Sequence, residues 1–185
     1  MTAATRHQGD AAAKPRCLIV VMGVSGSGKT SVAKALAERL SLPFLEGDQL
    51  HPPANVEKMS RGIPLTDADR WPWLDRIGDG LHAAAAAGEG IVVSCSALKR
   101  TYRDRLRAAA GGDLNFVFLD GSRDVLLARL QARRNHFMPA NLLDSQLSTL
   151  EDPTGERGVV TVGVDAPLEA IVEDGLQKLS VNWRA

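Results

Sequence analysis

The octapeptide Gly23-Val24-Ser25-Gly26-Ser27-Gly28-Lys29-Thr30 constrains this chain more than any other stretch. It follows an apolar run, Cys17 to Met22. It precedes a segment in which Val32, Leu36 and Leu40 recur every four residues while Lys34, Glu38 and Arg39 face outward. A buried strand must therefore turn through small residues directly into an amphipathic helix. In that setting the pattern G-x-x-x-x-G-K-[ST] lets backbone N–H groups close around an anion, and the helix adds the positive end of its dipole. A Gly-rich turn without a ligand would not require Lys29 and Thr30. The expected cradle comprises Gly23, Val24, Ser25, Gly26, Ser27, Gly28, Lys29 and Thr30, with Ser31 next to it. Lys29 is expected at β- and γ-phosphates and the Thr30 hydroxyl on Mg²⁺. No guanine-specifying Asn-Lys-x-Asp segment occurs, which favours ATP over GTP.

Beyond the loop, short apolar runs alternate with helix-period segments. The runs are Cys17 to Met22, Phe44 to Glu46, Ile91 to Cys95, Phe116 to Leu119 and Val159 to Val162. Being apolar on both faces, they suit a parallel sheet covered by helices on each side. Helices are read from Trp73, Ile77 and Leu81, from Leu126, Leu127 and Leu130, and from Leu168, Ile171, Val172, Leu176 and Leu179. The expected fold is an α/β three-layer sandwich with a five-stranded parallel sheet and a P-loop. With 185 residues, one domain over 17–185 suffices, and 1–16 reads as a flexible tail.

Composition narrows the partners. Lys+Arg and Asp+Glu balance at 22 each, so no long-range positive field exists to hold nucleic acid. No apolar run approaches the about 20 residues of a membrane span. The two cysteines, Cys17 and Cys95, lie in apolar runs without metal-ligand spacing, as buried thiols of a reducing, cytoplasmic protein would. If their strands are parallel neighbours, a disulfide between them is excluded.

The acceptor side is read from Glu46-Gly47-Asp48, because ligands gather at the carboxyl ends of parallel strands. Spacing of i, i+2 is expected to point both carboxylates one way, with Asp48 toward an acceptor hydroxyl and Glu46 toward the metal. Asp120, at the end of another apolar run, is a rival metal ligand. Two local readings compete with function. Thr66-Asp67-Ala68-Asp69 looks like a helix start, and Trp71 and Trp73 look more like core than sugar platforms.

The chain resembles the gluconokinases of the thermoresistant type from about Leu18 to Leu176. The resemblance rests on GVSGSGKT, on EGDQLHPPANVEKMSRGIPLTDADRWPWL from Glu46 to Leu74, on SCSALKRTYRDRLR from Ser94 to Arg107, and on HFMPANLLDSQLSTLEDP from His136 to Pro153. It implies ATP-dependent phosphorylation of gluconate on a nucleoside-monophosphate-kinase-like sheet with a mobile lid, about 133–150, and often a homodimer. Substrate contacts implied are Asp48, His51, Arg70, Lys99, Arg103 and His136, and Lys29, Asp48 and Arg133 would be catalytic. Arg129 and Arg133, at i, i+4 spacing, would face the phosphates. Asp165, in the loop Val164 to Pro167, would lie at the adenine end. Glu46 and Asp48 would assist Thr30 with the metal.

Overall fold

The computed structural model describes residues 17–132 and 140–182. The expected tail, part of the expected lid, and the candidates Arg133 and His136 lie outside the described residues. The chain runs β1 (Leu18–Met22), α1 (Lys29–Leu40), β2 (Phe44–Glu46), a 3-10 turn (Gly47–Leu50), α2 (Pro53–Ser60), α3 (Asp67–Ala87), β3 (Ile91–Ser94) and α4 (Arg100–Ala109). It continues through β4 (Asn115–Asp120), α5 (Arg123–Gln131), α6 (Ala140–Thr149), β5 (Val159–Gly163) and α7 (Leu168–Asn182).

The five strands form one parallel sheet in the order β2-β3-β1-β4-β5. Strand alternation divides the interior into two cores. Leu18, Val20 and Met22 of β1 join Phe116 and Phe118 of β4 against Trp73, Leu74 and Ile77 of α3 and Tyr102 and Leu106 of α4. The intervening Ile19, Val21, Val117 and Leu119 face the other side, against Val32 and Leu36 of α1 and Ile171, Val172 and Leu179 of α7. This is the expected three-layer α/β fold.

Local signals explain where elements stop. Thr66 and Asp69 form a reciprocal capping box at the start of α3, and Gly88, at φ 68°, closes its end after the alanine run. Asp69 is thereby held down at a pKa of about 2, chiefly by Lys58 and then by the Thr66 backbone and hydroxyl. Three helices, α2, α4 and α6, were not among the expected elements. The α4 sequence is so rich in arginine that its buried face, Tyr102, Arg103 and Leu106, does not stand out as apolar.

The topology creates the crevice. β1 and β3 are neighbours, yet the chain leaves β1 into α1 on one face and β3 into α4 on the other. Their carboxyl ends therefore open a cleft between the two crossovers.

Candidate active site

The phosphate loop spans Gly23 to Gly28, between β1 and α1. Gly28 caps α1 at φ 91° with no side-chain hydrogen bond, so the first N–H groups of the helix have no side-chain acceptor at the cap. Gly26 combines φ 85° with close approach: a Cβ there would lie 2.8 Å from the Leu126 carbonyl oxygen of α5. The loop is thus pressed against α5 and has room for no side chain at that point. Lys29 Nζ donates to the Val24 carbonyl at 3.1 Å, which folds the ammonium back over the loop. The Ser27 hydroxyl is buried with no hydrogen-bond partner among the described residues. Arg129 of α5 donates to the Ser27 carbonyl at 3.5 Å and to the Val164 carbonyl, bringing the loop after β5, with its exposed Asp165, next to the cradle.

Beside the loop lies a cavity of about 480 Å³, whose polar wall includes Ser25, Lys29, Asp48, His51, Arg70 and Ser96. Val56, Met59, Ile63, Leu65 and Leu142 form an apolar wall around it. Lys29 therefore belongs to the phosphate loop and also faces the groups on the acceptor side. Asp48 sits on the 3-10 turn after β2 and is exposed to the cavity. That turn is fixed from two sides, because Trp73 Nε1 donates to the Gly47 carbonyl at 2.8 Å and Gly47 N donates to Ser94 Oγ at 3.3 Å.

His51 is buried and stacks on Trp73 at 4.2 Å between ring centroids. Its Nδ1 lies 3.3 Å from Asn55 Nδ2, which also donates to the Asp69 carbonyl at 2.8 Å. Burial first, opposed by Asp48 and reinforced by Arg70, lowers its pKa to about 4, so near neutral pH the imidazole is an uncharged polar contact. Arg70 is only 7% exposed and lies over the Tyr102 ring, and its buried Nε has no partner among the described residues. A guanidinium in this position is suited to an anion such as a carboxylate.

Other expected residues lie elsewhere. Arg103 is completely buried: its guanidinium grips Glu156 and the carbonyls of Ala97, Leu98 and Glu151. It ties α4 to the 151–156 loop and does not line the cavity. Lys99 pairs with Asp67 at 2.8 Å, also away from the cavity. Asp67 is held below its usual range by Lys99 and then Tyr102. Glu46 accepts from the Ser94 hydroxyl and does not line the cavity. The chain enters the 3-10 turn at Gly47, so strand alternation does not carry through to Asp48 and the two carboxylates do not share a direction by that rule. Trp73 is core, and Trp71 meets the Tyr102 ring edge-on.

Among the polar residues of the cavity, Ser60, Ser96, Ser145 and Gln146 were not anticipated, nor was its apolar wall. Gln146 Oε1 accepts from the Ser25 N–H at 2.7 Å, joining α6 to the phosphate loop. The signal was present, since Leu143, Leu147 and Leu150 recur at helical spacing and place Leu142 and Gln146 together on an adjoining face.

The cradle fits a nucleoside triphosphate: a helix start whose cap offers no side-chain acceptor, a lysine over the loop, and a buried Ser27 hydroxyl with no partner among the described residues. Among the described residues no cluster of three or more His, Cys, Asp or Glu could hold a metal.

Comparison with known proteins identifies the family. A protein family described as AAA domain matches residues 18–153. A gluconokinase of Gluconobacter oxydans (strain 621H) is 54% identical over 172 residues, 92% of this chain and 94% of that protein. The thermoresistant gluconokinase of Escherichia coli (strain K12) is 44% identical over 161 residues, 86% of this chain and 91% of its own. The crystal structure of a gluconokinase from Sinorhizobium meliloti 1021 superposes with a TM-score of 0.84 at 58% identity, covering 90% of this chain and 93% of that one. With near-full coverage in both directions, the chain belongs to the gluconokinase family and carries the AAA domain.

Proposed function

We infer that this protein is a gluconokinase, which transfers the γ-phosphoryl group of ATP to a hydroxyl of D-gluconate to give 6-phospho-D-gluconate. The observation that carries the reading is that Lys29, at the mouth of the phosphate loop, lines the same cavity as Asp48 and Arg70. A phosphoryl donor and an anionic polyol can therefore meet in one enclosed space.

In the proposed mechanism the loop amides and Lys29 hold the phosphates, and Lys29 neutralises charge on the group in transfer. Thr30 and Asp48 are the residues that would assist Mg²⁺, which would supply further neutralisation of phosphate charge when bound. Asp48 accepts a hydrogen bond from the reacting hydroxyl, orients it and takes its proton as transfer completes. Arg70 binds the gluconate carboxylate, and neutral His51 contacts a hydroxyl. Arg129 fixes the loop near the adenine end. Arg133 and His136 are proposed, from the resemblance alone, as phosphate and substrate contacts. The same reading carries a homodimer, supported by the family resemblance, and a cytoplasmic location, supported by two buried free thiols.

The test is an ADP-release assay with Mg-ATP and gluconate. Asp48→Asn is expected to bind ATP like the unaltered chain while kcat falls by about 100-fold or more. If the unaltered chain releases no ADP with gluconate, the assigned reaction is wrong.

A further inference from the structure

The carboxamide of Gln146 lies where the phosphate loop meets the acceptor cavity. Its orientation is set chemically: the Ser25 N–H can only donate, so the atom that meets it at 2.7 Å is Oε1. Nε2, with two N–H donors, is left over, and among the described residues no hydrogen bond engages it. Gln146 lines the cavity together with Ser25, Lys29, Asp48 and Arg70.

The element that carries Gln146 is anchored independently. Leu142 and Leu143 are buried, and Arg123 of α5 grips Asp144 through both carboxylate oxygens, at 2.7 and 3.1 Å. Asn141 Nδ2 donates to the Gly62 carbonyl at 3.2 Å. A side chain held at its base by a helix and at its tip by a loop amide has lost most of its freedom before any ligand arrives. That is the preorganisation an oxyanion-stabilising donor needs.

We propose that Gln146 is a catalytic residue of the phosphoryl-transfer site, whose Nε2 donates to an oxygen of the γ-phosphoryl group as it moves toward the acceptor. The proposal rests on the gluconokinase reading for the direction of transfer. A purely structural role is the competing account, in which Gln146 only pins the phosphate loop through Oε1.

Gln146→Glu separates the two, because a carboxylate keeps an acceptor for the Ser25 N–H but replaces the donor with negative charge. Gln146→Ala removes both. At pH 8, where the introduced carboxylate is ionised, Gln146→Glu is expected to retain ADP affinity and the thermal midpoint. Its kcat/KM should fall by about 100- to 1,000-fold, the scale seen when one oxyanion donor is lost. It should be less active than Gln146→Ala, and its affinity should drop for ATP and not for ADP. A pin alone predicts the reverse order, with Gln146→Glu the more active of the two, or equal losses for ATP and ADP. Either result overturns the proposal. The unaltered chain assayed alongside keeps the issues apart: if it does not phosphorylate gluconate, the assigned reaction fails, whereas the ATP-to-ADP affinity ratio of Gln146→Glu still decides the role of the carboxamide.

Discussion

Two arginines of similar appearance in the sequence have opposite surroundings. Arg70 faces the cavity with an Nε that has no partner among the described residues, whereas Arg103 is sealed among three carbonyls and Glu156. Arg70→Ala should raise the KM for gluconate by about 10- to 100-fold, the equivalent of a lost charge-assisted hydrogen bond, with little change in ATP affinity. Arg103→Ala should leave the KM of the folded enzyme unchanged but lower stability in urea by about 3–5 kcal/mol, since Glu156 loses a buried partner. Equal effects on KM would show that both arginines serve the substrate. His51 gives a pH signature. Its folded pKa, about 4, lies below the ordinary 6.5, so the unfolded chain binds the extra proton between those values. The stability contribution is fully present above pH 6.5 and is lost as pH falls toward 4, by about 3 kcal/mol at most. Urea midpoints measured across that window should fall more steeply for the unaltered chain than for His51→Asn.

At the scale of elements, the 3-10 turn that carries Asp48 depends on a glycine with almost no free space. A Cβ on Gly47 would lie 2.1 Å from the Ser94 carbonyl oxygen of β3, a backbone atom that cannot swing aside. Gly47→Ala should therefore push the turn away from β3, weaken the Trp73 bond to the Gly47 carbonyl, and lower stability by about 1–3 kcal/mol. Because Asp48 is the next residue, kcat should fall in parallel, and a variant of normal stability and turnover would contradict this account. The same turn explains why the Glu46-x-Asp48 spacing was misleading: strand alternation ends at Glu46, two residues before Asp48. β1, α1 and the capped ends of α3 were legible because each has a strong local cause: a run of β-branched residues, a period of four, a Thr-x-x-Asp box and an alanine run closed by glycine. α4 was not, because Arg103 occupies a core-facing position that periodicity assigns to apolar residues.

For the whole molecule, sheet order determines what distant residues can do. Cys17 precedes β1 and Cys95 follows β3, and the register pairs Leu18 with Ile91 and Val21 with Ser94. The two thiols are therefore offset by five strand positions, about 17 Å at the rise of a parallel strand, well beyond disulfide reach. Burial also pushes Cys95 up to about 12, so little thiolate is available there for exchange. Mass spectrometry after mild oxidation should find no Cys17–Cys95 bridge, and finding one would contradict the strand order.

Read alone, the sequence determined the layered α/β class, the P-loop between β1 and α1, and the short strand β2. Each is encoded by contiguous residues whose local preferences and burial agree. Only the tertiary structure decided which cations share a cavity with Lys29, that Arg103 and Lys99 pair elsewhere, and that Gln146 of α6 reaches the Ser25 amide across 121 positions of sequence. A charged or polar side chain has the same composition whether it binds a substrate, a carboxylate of its own fold or water. Its role follows from the partners that packing brings within hydrogen-bond distance, and those partners are set by sheet order and helix placement, not by chain neighbours.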